Sequence, residues 1–273
     1  INAEYGDFKV GITLQQVLDA EEGEIICGCL VLKEEHYQIG AFQKRNDFSS
    51  VVATTLRHVS DNMFNGAENL ATVIMPEVVG VMGATFDDGG AFQGTKMKNC
   101  FFPKLQRIGN QAFTNSKMQQ INQFNFPALQ SIGQAGFQAC SVVQVDLSNL
   151  VFIGDYGFGG CLNLRQFSAK KLEEAGRNCF SNCKRLSHIN SNLEPEKFSC
   201  TKHFDQKLQE CNGCLICRGK MKQEQSIQNE FFKCGCLQFE QKTKIYEQIQ
   251  IVKSELQLLQ TVLENELEVQ GIE

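Results

Sequence analysis

The 273-residue chain has a formal net charge of −5, with 42% apolar and 21% charged residues. That is the make-up of a globular protein, and it gives no electrostatic reason to bind nucleic acid or an anionic membrane. Its longest apolar run, Ile25 to Leu32, is far too short to cross a bilayer as a helix, so no membrane insertion is expected.

Two residue types are overused: 21 Phe stand beside 4 Tyr and no Trp, and 13 Cys beside 4 Pro. Thirteen is odd, so at least one thiol must be free, metal-bound or paired with another chain. The chain begins at Ile1 rather than Met. We read the natural start as missing, which leaves a removed signal peptide open.

Residues 1–33 have a pattern of their own, unlike that of residues 34–192. Val10, Ile12 and Leu14 alternate, Val17 to Ala20 suggests a short helix, and Glu24 to Leu32 reads as one buried strand. This segment is expected to cap the end of a stack.

From residue 34 to 192 the chain repeats itself. Leu150, Ile153, Phe158, Cys161, Leu164 and Phe167 are echoed by Leu172, Ala175, Phe180, Cys183, Leu186 and Ile189. Earlier copies run through Leu129, Ile132, Phe137 and Cys140, then Leu105, Ile108, Phe113 and Ser116, then Val78, Val81 and Phe86, then Leu56, Val59 and Phe64, with a weak copy at Phe42. Successive landmark Phe residues are 22, 22, 27, 24, 21 and 22 positions apart. A coil of that size cannot close a core alone and must stack on its neighbours, with Phe filling one lane. Cys140, Cys161 and Cys183 share a register, which favours small core side chains over a metal or redox site. The interval of 27 predicts a bulged Gly-rich loop at Asp87 to Gly94.

The motifs Ile108-Gly109-x2-Ala112-Phe113, Ile132-Gly133-x3-Phe137-x2-Cys140, Ile153-Gly154-x3-Phe158-x2-Cys161 and Phe180-x2-Cys183-x2-Leu186-x2-Ile189 resemble the BspA-like leucine-rich repeats. The resemblance covers roughly residues 34–190. It implies an α/β, β-dominated leucine-rich-repeat solenoid (horseshoe), here with a C-terminal Cys-rich segment and a coiled-coil helix. It further implies adhesion, ligand-binding or scaffold work, with one strand face of the coil as the binding surface. Alternation along that strand places Thr72, Gln120, Gln144, Gln166 and His188 outward in one row, and Asn122, Asp146, Ser168 and Asn190 in a second. These residues are also what would merely keep a sheet face wet. No Arg/Lys stripe tracks a phosphate backbone and no aromatic platform stacks bases, so protein rather than nucleic acid is the expected partner.

The rhythm stops at Pro195, and residues 193–236 read as a second module. Cys200, His203, Cys211, Cys214, Cys217, Cys234 and Cys236 are concentrated there. Cys214, Cys217, Cys234 and Cys236 are the simplest tetrahedral zinc quartet, with disulfides or free thiols as the alternatives, decided by redox compartment. Arg218, Lys220 and Lys222 between them favour thiolate, which tilts the reading towards metal and the cytoplasm over the cell surface. Residues 237–273 carry Ile245, Ile249, Val252, Leu256, Leu259 and Leu263 at gaps of 4, 3, 4, 3 and 4, an a/d seam. A helix there would reach ~45 Å and is expected to pair, with itself or another chain, through residues 237–270.

His36, His58, His188 and His203 have no arrangement with a nucleophile and an orienting acid, and Asp87-Asp88 lacks the spaced ligands of a calcium loop. The sequence therefore predicts no enzyme. It predicts a protein-binding module that recognises a ligand by its sheet face and oligomerises through its terminal helix. The alternative is an intracellular scaffold docked by the coiled coil.

Overall fold

The computed structural model describes residues 10–83, 89–122, 125–194 and 197–198. In chain order these form α1 (Leu14–Asp19), β1 (Ile25–Ile26), β2 (Cys29–Leu32), β3 (Ser50–Ala53), β4 (His58–Val59), β5 (Thr72–Ile74), β6 (Gly80–Val81), β7 (Asn99–Phe101), β8 (Arg107–Ile108), β9 (Gln120–Asn122), β10 (Ser131–Ile132), β11 (Gln144–Asp146), β12 (Phe152–Ile153), β13 (Gln166–Ala169), β14 (Glu174–Ala175) and β15 (His188–Ser191). From β3 to β14 each repeat contributes a strand of three or four residues and then a strand of two. Stacking sorts them into sheets: β1-β2-β3-β5-β7 in the first, β9-β11-β13-β15 in the second, and all the two-residue strands from β4 to β14 in the third. Every pairing except β1 with β2 is parallel. The architecture is a β-solenoid of stacked parallel strands with little helix.

The core is built from columns, because one register position meets its own kind in the next coil. Phe42, Phe64, Phe92, Phe113, Phe137, Phe158 and Phe180 stack with centroids 5.1–5.9 Å apart and planes within 14°. Phe198 continues the column on Phe180 at 5.8 Å. Offset-stacked rings of this kind add to their area burial. The ring between Phe64 and Phe113 is Phe92, not the expected Phe86, which lies outside the described residues. Val81 and Phe92 stand 11 positions apart against 5 for Ile108 and Phe113, so the extra residues fall before the ring. Of the loop expected at Asp87 to Gly94, Asp87 and Asp88 lie outside the described residues, and Ala91 to Gly94 is a turn of the regular coil with Ala91 and Phe92 buried.

Three positions beyond each ring lies a second column. Cys140, Cys161 and Cys183 are buried and donate to the carbonyls of Phe113, Phe137 and Phe158 one coil back, at 3.0, 3.1 and 3.1 Å. Ser116 heads this column, 3.3 Å from the Cys140 Sγ. Each of these carbonyls already accepts the backbone N–H three residues on, so the thiol adds a second donor to it and finds an acceptor for its own S–H inside the core. Burial pushes the Cys140 thiol up to about 11, against the ordinary 9.0, and holds Cys161 well above it.

The N-terminal segment departs from the sequence reading in one place. Ile25 to Leu32 is not one strand but an antiparallel hairpin, in which Ile25 faces Leu30. Cys27 and Gly28 both adopt left-handed backbone at φ 50° and 75°, the geometry of a two-residue hairpin turn. Helix α1 starts at a capping box: Gln16 N–H donates to Thr13 Oγ1 at 3.2 Å, and Thr13 N–H to Gln16 Oε1 at 2.8 Å. At its other end the Lys33 ammonium donates to the Leu18 carbonyl at 2.7 Å and also to that of Ala20. Strand β2 then pairs in parallel with β3 as the first rung of the stack.

Candidate functional site

Strands β9, β11, β13 and β15 lie side by side in register: Gln120, Gln144, Gln166 and His188 occupy one row. Asn122, Asp146, Ser168 and Asn190 share the register position two residues on. Between them Ile121, Val145 and Phe167 point into the core with Ile189 packed against it, so alternation turns the flanking polar positions outward. Gln120 and His188 are exposed, Gln144, Gln166, Asp146 and Asn190 half-buried, and Ser168 buried. The His188 Nδ1 lies 2.8 Å from the Ser187 hydroxyl. Asp146 has its carboxyl raised by burial, opposed by a hydrogen bond from Ser168 and by the charge of Lys170. At a strand spacing of ~4.8 Å, four strands present ~14 Å of neutral amides with one imidazole, His188, and one carboxylate, Asp146.

Thr72 does not join that row. It aligns with Cys29, Ser50 and Asn99 in the first sheet and is only 6% exposed. The outward row beside it consists of Val31, Val52, Ile74 and Phe101, all buried. The corresponding positions that are polar in the second sheet are apolar in the first, so this half of the strand face is covered. Thr72 is therefore removed from the candidate contact set, as is the buried Ser168, and the site shrinks to the exposed and half-buried positions of the second sheet.

The zinc quartet of Cys214, Cys217, Cys234 and Cys236, and the heptad seam at 237–270, lie outside the described residues. Among the described residues no three His, Cys, Asp or Glu side chains gather as a metal site. Also among them, no helix is long and apolar enough to cross a membrane. Pattern reading from the sequence passes over a further cluster on the third sheet, around His58 and Arg107. Its signal is faint: a glycine, Gly80, at a register position that carries a side chain in the other coils.

Residues 88–201 match the family of BspA type leucine rich repeat regions, in six copies. None of the curated proteins compared matches the chain. Among solved structures, the chain is similar to a leucine-rich repeat protein from Bacteroides ovatus, at 20% identity and a TM-score of 0.44, over 59% of this chain and 41% of that one. It is also similar to a leucine rich cell surface protein from Faecalibacterium prausnitzii, at 16% identity and a TM-score of 0.26, over 63% of this chain and 67% of that one. A leucine-rich repeat protein from Eubacterium ventriosum matches at 15% identity and a TM-score of 0.26, over 61% of this chain and 66% of that one. The chain thus spans less than half the length of the Bacteroides ovatus protein. Over residues 88–201 the chain is thus similar to BspA type leucine rich repeat regions.

Proposed function

We propose that the chain is a non-catalytic protein-binding module, of the ligand-recognition or adhesion type, whose contact surface is the outward face of β9, β11, β13 and β15. The observation that supports this most is the register itself: Gln120, Gln144, Gln166 and His188 form a continuous polar row beside Asp146 and Asn190, on strands whose alternate residues are locked into the core. A rigid scaffold that holds side chains at fixed spacing loses little entropy on binding. Amides offer both donors and acceptors, so they suit the mixed polar surface of a folded protein better than a single-sign polymer.

A photo-crosslinking amino acid at Gln144 tests this reading in extracts of the source cells. A discrete protein adduct is expected, lost when Gln166→Arg is added and absent when the crosslinker stands at the exposed turn residue Leu162. Adducts that form equally at both positions would sink it.

The heptad spacing of Ile245 to Leu263 supports pairing of the module through residues 237–270, which would multiply weak contacts by avidity. The spacing of Cys214, Cys217, Cys234 and Cys236 supports one structural zinc. Light scattering with metal analysis on the full chain addresses both. A multimer that falls to monomer in a Leu256→Glu, Leu263→Glu variant and one zinc per chain are expected; a metal-free monomer throughout would refute them.

A further inference from the structure

The third sheet carries its own outward row, His58, Gly80, Arg107, Ser131, Phe152 and Glu174, aligned strand by strand. Gly80 carries no side chain and is buried in this row. The His58 imidazole takes up the space a side chain there would fill, since a Cβ placed on Gly80 would lie 3.0 Å from the His58 Nδ1. Arg107 flanks the other side. Together they line a cleft of about 400 Å³, also walled by Met82, Ser131 and Phe152. Met82 is 50% exposed, one of four large apolar side chains left so open among the described residues.

The polar groups here are unused. Among the described residues, the side chains of His58, Arg107 and Ser131 have neither a hydrogen-bond nor an ion-pair partner, while the three ion pairs involve other residues. The acid in the same row, Glu174, is three strands from Arg107, or ~14 Å at the usual strand spacing, beyond effective pairing at physiological salt. An unpaired guanidinium presents a planar fork of donors whose natural complement is a carboxylate. Beside it, an exposed thioether and an aromatic ring offer apolar contact.

The geometry points to a second binding site, on the opposite strand set from the glutamine row, for an acidic residue of a protein partner with an apolar neighbour. The carboxylate seats in this cleft on Arg107, with the His58 ring and the Ser131 hydroxyl as further donors, and the neighbouring apolar side chain packs on Met82 and Phe152. The site stands apart from the glutamine row, so loss of crosslinking at Gln144 would leave it untouched.

The test uses a matched pair of probes, acetyl-Phe-Glu-amide and acetyl-Phe-Gln-amide, titrated into the full chain while the His58 ring and Arg107 Nε signals are followed by NMR. Saturable shifts are expected with the acidic dipeptide, and binding of the neutral one roughly tenfold weaker, the difference of one charge-assisted hydrogen bond. Arg107→Gln, an exposed substitution, should abolish the preference for the acid. Gly80→Leu, whose side chain must push the His58 ring out into the cleft, should abolish both titrations with an unchanged circular dichroism spectrum. Equal binding of the two dipeptides, an acid preference that survives Arg107→Gln, or no saturable shift would each overturn the assignment.

Discussion

Cys140 shows how much one side chain is asked to do. Its thiol donates to the Phe113 carbonyl, touches the Ser116 hydroxyl, and is almost fully removed from water. The unfolded thiol ionises near the ordinary 9.0, whereas burial holds the folded one at about 11. The folded state therefore keeps a proton that the unfolded state releases. Its stabilising contribution is complete below pH 9 and is lost as pH rises from 9 to 11, at ~1.4 kcal/mol per unit of difference. Urea unfolding should show stability falling across that window, and Cys140→Ser, which keeps a donor but does not titrate there, should flatten part of the fall. An unchanged slope would show that the thiolate is tolerated. At this scale the sequence reveals the Cys column by register alone, but the carbonyl to which each thiol donates belongs to another coil and is invisible in a linear pattern.

Within the coil, the turn around each Phe depends on left-handed backbone at fixed offsets. Two residues beyond the ring, Lys44, Gly66, Gly94, Asn115, Ala139, Gly160 and Asn182 all have positive φ, between 55° and 73°. Glycine and asparagine adopt this readily, whereas alanine does so at a steric cost. Ala139→Gly should raise stability by about 1 kcal/mol, and Gly160→Ala should lower it by about as much. The second substitution isolates the conformational cost, since a Cβ on Gly160 meets Ala139 only at ordinary contact distance, 3.7 Å. Chemical denaturation of the two variants checks both signs. The same local geometry explains the two misread elements. Cys27-Gly28 turns what looks like one apolar strand into a hairpin, because a run such as Ile25 to Leu32 carries no periodic mark of where it bends. Phe86 and Phe92 compete for one column, and spacing alone cannot say on which side of the ring an insertion falls.

Over the solenoid as a whole, the decisive contrast lies between the two halves of one strand face. Ile74 and Ser168 are equivalent outward positions, yet Ile74 sits in a row with Val31, Val52 and Phe101, whereas Ser168 sits with Asp146 and Asn190. Ile74→Asp would place a carboxylate at a site 1% exposed and should cost ~3 kcal/mol or more. Gln166→Asp on the open half should stay within ~0.5 kcal/mol. Melting temperatures of the two variants separate a covered face from a free one, and similar losses would contradict the division.

The sequence by itself determines the coil and its period, the Phe and Cys columns, and the two outward rows of the later strands, because each repeat must place identical side chains against identical neighbours. It also marks Gln120, Gln144, Gln166 and His188 as partners in one row, since equal spacing from the Phe landmarks forces equal register. Only the tertiary structure decides that Thr72 is buried, that Phe92 replaces Phe86 in the column, and that His58 and Arg107 line one cleft. Each of these depends on what a neighbouring coil or covering segment does to a residue. That is a relation in space between positions that sequence periodicity treats as equivalent.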